Sequence, residues 1–204
     1  MTEVNQQEIP IVITYPVSVY DIPLDSLDTE ENMLAKNKGK VTMVVNVTGE
    51  CANSAQYNPI QDLYDKYKDL GFEVIAVPST DFCDDAYGSF KESNASPILM
   101  RSHMKELYKT NLPFSKMTAI VENSETGLPV HPFYKLMQEG TDPIQGNFEK
   151  FIISRDGTKV VRYCNSDLLD LAFNAGDRTI DSHRALQEIT KTIEEFLHEQ
   201  VDPT

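Results

Sequence analysis

Val41-Thr-Met-Val-Val-Asn-Val47, followed by Tyr57, Ile60, Leu63, Tyr64 and Tyr67, then Gly71-Phe-Glu-Val-Ile-Ala-Val77-Pro78, is the stretch that decides the fold. The first run is apolar and β-branched, follows the turn-like Asn37-Lys-Gly-Lys40, and has the length of a buried strand. The five spaced residues recur at helical intervals until Gly71 supplies a C-terminal stop. The last run is a second short apolar strand closed by a proline. Residues 41–77 therefore read as a βαβ unit with parallel strands and a right-handed crossover.

Outward from this unit, residues 79–97 are rich in Ser, Asp, Asn and Pro and read as irregular, and Ile98 to Lys109 carries apolar residues at helical spacing. Phe148 to Ile153 and Val160 to Tyr163 flank Arg155-Asp-Gly157, the signature of a β-hairpin. Leu186, Ile189, Ile193, Phe196 and Leu197 fall on one face of a terminal helix. This order predicts an α/β, thioredoxin-like fold, a mixed central β-sheet flanked by helices on both faces. Residues 1–38 form an N-terminal extension, whose alternating Ile11, Ile13, Val17 and Val19 predict a short edge hairpin limited by Pro10, Pro16 and Pro23.

At 204 residues, 40% hydrophobic and 25% charged, the chain has the size and composition of one globular domain spanning 1–204, not of a disordered or fibrous protein. A net charge of -14 repels phosphate backbones and anionic lipids, which argues against nucleic acid or a membrane surface as partner. No apolar run reaches the roughly 18 residues of a membrane span, and the polar start Met1 to Gln7 does not read as a secretory signal. Cysteines at 51, 83 and 164 are too few and scattered for a disulfide framework, so reduced thiols in the cytoplasm are expected. The four histidines form no ligand pair, and no metal or other cofactor is expected.

Cys51 falls just past a buried strand and just before a helix, where unpaired N–H groups and the helix dipole favour a thiolate. The alternative is a small packed residue. Asn46-Val-Thr-Gly-Glu-Cys51-Ala-Asn-Ser-Ala-Gln56-Tyr57 resembles the glutathione peroxidase signature, a strand ending N-V-A-S, a variable residue, cysteine or selenocysteine, G-L-T, then Q-Y. The resemblance continues in register through Leu63-Tyr-Asp-Lys-Tyr-Lys68, Pro78 with Phe82, His131-Pro-Phe-Tyr134 and Asn147-Phe-Glu-Lys-Phe-Ile-Ile153, covering residues 39–163.

The resemblance implies a thiol peroxidase that reduces hydrogen peroxide or an organic hydroperoxide through Cys51, with glutathione or thioredoxin as electron donor. It also implies a tetrad of which Cys51 and Asn147 are present. Asp81 stands at the glutamine position and Gly146 at the tryptophan position. An ionised Asp81 accepts but does not donate, so it helps the sulfur only if protonated, turned away, or used as a proton acceptor. Gln145 is a candidate substitute donor. Cys83, at the glycine position of the second motif, is a candidate resolving thiol, and Cys164 reads as a packed residue. The short connection Thr141 to Gly146 resembles that of monomeric members, whereas residues 165–183 are longer than the family usually has. Two other functions stay open: a catalytically impaired binding or structural module, and a disulfide exchanger resting on Cys83.

Overall fold

A computed structural model describes residues 12–82, 96–122, 124, 126–169 and 179–199, with side chains of the last segment from Ser182 onward. Seven residues of β2 (Val41–Val47) are all buried, as a strand between two partners and two covered faces must be. It pairs in parallel with β3 (Phe72–Pro78), Val41 opposite Phe72, and antiparallel with β4 (Lys150–Ile153), Val44 opposite Phe151. β4 forms a hairpin with β5 (Lys159–Tyr163), and β1 (Val12–Thr14) adds the edge, giving the order β1-β5-β4-β2-β3.

A short helix, α1 (Met33–Lys36), capped by the Asn32 side chain, precedes β2. The pleat of β2 sends alternate side chains to opposite layers. Val41, Met43, Val45 and Val47 meet Tyr57, Ile60, Leu63 and Tyr67 of α2 (Tyr57–Tyr67), Met100 and Met104 of α3 (Pro97–Tyr108), and Ile189, Ile193 and Phe196 of α5 (Thr179–His198). Val44 points the other way, into a layer built with Ile75, Val77 and Phe151 against Phe133, Tyr134 and Met137 of α4 (Pro132–Met137). Helices thus cover both faces of a mixed sheet. Each fully buried aliphatic or aromatic side chain contributes about 1.5–3 kcal/mol, and five of the seven residues of β2 are of this kind.

α2 runs into a 3-10 turn, Lys68–Leu70, that Gly71 closes in the left-handed region at φ 96°. α3 turns Met100 and Met104 inward and leaves Ile98, Leu99 and Leu107 exposed, so only part of its apolar set faces the core. α4 had no counterpart in the sequence reading. It starts on Pro132, with His131 as cap taking the Phe133 N–H on Nδ1 at 3.3 Å, an arrangement that needs a neutral imidazole. Burial lowers the His131 pKa from 6.5 and keeps that acceptor available.

At the N-terminus the described residues contribute the edge strand β1. Tyr15 N–H still bonds the Thr158 carbonyl (2.7 Å), but Pro16 has no N–H to continue a ladder, and Val19 enters a 3-10 turn capped by Ser18. Tyr20 then runs beneath the β4–β5 turn, its Oη donating to the Lys40 carbonyl at 2.6 Å. Ile11 lies outside the described residues.

Candidate functional site

β2 ends at Val47, and Gly49 to Asn53 makes a tight reversal before the 3-10 turn Ser54–Gln56 that leads into α2. Cys51 sits on this reversal, half-buried against the α2–α3 layer. Its Sγ receives the Asn53 N–H at 3.3 Å and lies 3.5 Å from Ser54 Oγ, which in turn accepts the Cys51 N–H at 2.8 Å. Burial pushes the Cys51 thiol above 9.0, while the Ser54 hydroxyl and the backbone N–H groups of Asn53 and Ser54 pull it back.

Asn147 lies on the loop before β4. Asn46, inside β2, fastens that loop: its Nδ2 donates to the Gly146 carbonyl at 2.9 Å, its Oδ1 accepts the Glu149 N–H at 2.9 Å, and its carbonyl accepts the Phe148 N–H at 2.7 Å. Phe148 adopts φ 72°, a left-handed conformation that a bulky residue holds only where its surroundings fix it. Its ring packs edge-on to Tyr57 at 5.1 Å. Asn147 donates Nδ2 to the Phe82 carbonyl (3.0 Å) and accepts Asn53 Nδ2 on its own carbonyl (3.2 Å). It therefore reaches Cys51 through Asn53. Its buried Oδ1 has no hydrogen-bond partner among the described residues.

The other sequence candidates separate. Asp81 faces away from Cys51. Its Oδ2 accepts the N–H groups of Ile120 (2.6 Å) and Val121 (3.1 Å), and its Oδ1 takes the Ser124 hydroxyl. Of the roles open to it, the structure selects the one aimed away from the sulfur, because two backbone donors and a hydroxyl satisfy a carboxylate better than a thiolate does. Gln145 is exposed, and its backbone N–H meets Glu149 Oε1. The side chain over Gly146 belongs instead to Asn165, whose Nδ2 fills the space a Cβ there would need. Cys83 lies outside the described residues. Cys164 is exposed at the end of β5, not packed as its strand-end position predicts.

Behind the site lies a polar network that the sequence reading missed. Lys150 is fully buried on β4 and donates to Gln56 Oε1 (2.6 Å) and the Cys164 carbonyl (3.0 Å), while Gln56 Nε2 donates to the Asn165 carbonyl (2.6 Å). One cation thereby ties the segment after Cys51 to the segment covering Gly146. The sequence signal available was a lysine in an otherwise apolar strand, Lys150-Phe-Ile-Ile153. Burial lowers the Lys150 pKa from 10.5 to about 8, with Asp167 and Glu149 opposing. The unfolded chain holds this proton more tightly, so folding stability rises with pH between these values. From about pH 7.5 to 9.5 the wild type is expected to gain about 2 kcal/mol relative to Lys150→Met in urea unfolding. Equal pH dependence in the two proteins would contradict a Lys150 pKa lowered by burial.

Comparison with known proteins places this geometry. A family model described as glutathione peroxidase matches residues 19–138. The chain is 30% identical over 155 residues to a probable glutathione peroxidase 8 of Arabidopsis thaliana, covering 72% of this chain and 85% of that protein. It is 31% identical over 146 residues to a glutathione peroxidase-like peroxiredoxin of Schizosaccharomyces pombe, covering 71% and 87%. Among solved structures, T. cruzi GPX1 superposes with a TM-score of 0.59 at 21% identity over 88% of this chain and 96% of that one. A thioredoxin-like superfamily protein superposes with a TM-score of 0.57 at 11% identity, over 93% of this chain and 99% of that one. The fold is thioredoxin-like.

Proposed function

The chain belongs to the glutathione peroxidase family, and on that footing we propose that it is a thiol peroxidase in which Cys51 reduces hydrogen peroxide or an organic hydroperoxide. The observation that carries the reading is the placement of Cys51 Sγ on the reversal between β2 and α2, with the Asn53 N–H directed at it and the Ser54 hydroxyl oxygen 3.5 Å away. The thiolate attacks one peroxide oxygen, the O–O bond breaks, and the other oxygen leaves as water or alcohol after taking a proton. Cys51 becomes a sulfenic acid. A donor thiol condenses with it, releasing water, and a second thiol reduces the mixed disulfide and regenerates Cys51.

Asn147 holds the Cys51 turn through Asn53 in this reading, and Asp81 holds the Ile120–Ser124 segment, with no part in the chemistry. Glutathione or thioredoxin is the donor, and the dispersed cysteines favour a reducing, cytoplasmic setting. The short Thr141–Gly146 connection favours a monomer. A second reading, an impaired thioredoxin-fold binding module, draws support from the upward push of burial on the Cys51 thiol.

Peroxide consumption measured with glutathione, and separately with thioredoxin and its reductase, decides between them. Turnover with at least one donor is expected, and rates no faster than a free cysteine peptide with both would overturn the peroxidase. Because burial holds the thiol above 9.0, the single-turnover rate should rise about tenfold per pH unit through neutrality. A rate flat between about pH 6 and 8 would show an already ionised thiol and contradict this.

A further inference from the structure

Ser54 has more partners than one hydroxyl proton can serve. It is fully buried, its Oγ accepts the Cys51 N–H at 2.8 Å, and it faces two acceptors, the Gly49 carbonyl at 2.6 Å and Cys51 Sγ at 3.5 Å. A neutral thiol is a weak acceptor, so the nearer carbonyl takes the proton. A thiolate is charged, and a hydrogen bond to a charged acceptor is about twice as strong as one between neutral groups. Turning the hydroxyl from one acceptor to the other needs rotation about the Cβ–Oγ bond alone. No buried heavy atom has to move.

The turn that frames this hydroxyl is fixed independently. Asn53 presents its N–H to Sγ at 3.3 Å while its side chain is anchored on the Asn147 carbonyl at 3.2 Å. Ser54 N–H bonds the Cys51 carbonyl at 3.1 Å, which closes the reversal. Sulfur and hydroxyl therefore stay in place whichever way the proton points.

We infer that Ser54 is a catalytic residue acting as a switchable donor, its hydroxyl directed at Gly49 while Cys51 is a thiol and at Sγ once Cys51 is a thiolate, with Asn53 as the positioning residue. Cys51 loses its own proton to solvent, and Ser54 keeps its proton throughout. The inference rests on the reading of Cys51 as the reacting thiol and supplies a stabilising donor where Asp81 and Gly146 offer none. It gives a chemical role to a serine three residues past the cysteine.

The test uses alkylation, which reads thiolate without peroxide. The full chain is treated with iodoacetamide across a pH series, and modification of Cys51 is followed by peptide mass spectrometry. Ser54→Ala, with its fold checked by circular dichroism, should be alkylated about tenfold more slowly at neutral pH. Its profile should shift to higher pH, and Ser54→Thr, which keeps the hydroxyl, should return to the wild-type profile. A folded Ser54→Ala protein with the wild-type profile would overturn the inference. A second measurement needs no Ser54 variant: in the wild type the Gly49 carbonyl 13C resonance should move as Cys51 ionises and stay still in Cys51→Ser. A Gly49 resonance unmoved across the thiol titration would overturn it as well. Normal alkylation and NMR titration in a protein without peroxide turnover would support the Ser54 switch while sinking the peroxidase reading.

Discussion

Replacing Cys51 by serine is expected to reduce peroxide consumption by more than about a thousandfold, with the fold unchanged. Serine is close in size to cysteine, and its oxygen can take the Asn53 N–H in place of Sγ. An alkoxide is not accessible at neutral pH, and an alcohol does not attack an O–O bond. The effect is therefore chemical. Cys51 lies within 3.5 Å of Ser54 Oγ but is only half-buried, so the substitution should cost little stability. Cys164→Ser provides the comparison: that residue is exposed at the far end of β5, and its loss should leave turnover within about twofold of wild type. A Cys164→Ser protein as inactive as Cys51→Ser would show that the reacting sulfur has been misplaced.

The largest effect on stability is expected at Gly157. It occupies φ 76° in the β4–β5 turn, and a Cβ there would overlap Ser18 Oγ and come within 2.6 Å of Tyr20 Cδ2. Tyr20 has no room to withdraw, since it is fully buried and its Oη is fixed on the Lys40 carbonyl at 2.6 Å and beside Thr42 Oγ1 at 3.1 Å. Left-handed geometry costs a residue with a Cβ about 1–2 kcal/mol, and overpacking adds about 1–3 kcal/mol. Gly157→Ala should thus lose about 3–4 kcal/mol in urea unfolding, or about 10 °C in melting temperature. Gly140→Ala isolates the two contributions, because Gly140 has nearly the same φ, 71°, and no described atom within 4 Å of the place its new methyl group would take. It should lose about 1 kcal/mol. Equal losses at both glycines would mean that the Tyr20 contact contributes nothing.

The fold was legible where a segment's own pattern carries its structure. The apolar run Val41–Val47 could only be a buried strand, α2 was spelled by Tyr57, Ile60, Leu63 and Tyr67, and Asp156-Gly157 marked the hairpin turn. α4 was not legible by periodicity because six residues make fewer than two helical turns, although a cap residue followed by Pro132 was a usable start signal. The expected edge hairpin draws on Ile11, outside the described residues, and within them Pro16, with no N–H, ends the ladder that β1 forms.

The site was legible only in part. Strand-then-helix context pointed to Cys51, and the family pattern pointed to Asn147. What holds those two together depends on contacts between residues far apart in the chain: Asn53 meets Asn147 across 94 positions, and Gln56 meets Asn165 across 109. Local pattern carries no information about such pairs. Asp81 shows the same limit in reverse, since its charge was evident but its direction depended on Ile120 and Val121 folding back onto it. Asn165 is the clearest case. Its segment stood out only as longer than the family usually has, yet its side chain occupies the room above Gly146.

The central claim is that Cys51 is the residue that meets the peroxide. Reduced protein should be mixed with one equivalent of hydrogen peroxide, quenched within seconds in a sulfenic-acid trap, and mapped by mass spectrometry, with Cys51→Ser in parallel. The account predicts rapid adduct at Cys51, little at Cys164, and none gained elsewhere in Cys51→Ser. If a disulfide joins Cys51 to Cys83 after the trap is omitted, and thioredoxin reduces it, the resolving role of Cys83 follows as well. Oxidation of Cys51 no faster than that of a free cysteine peptide would contradict the account.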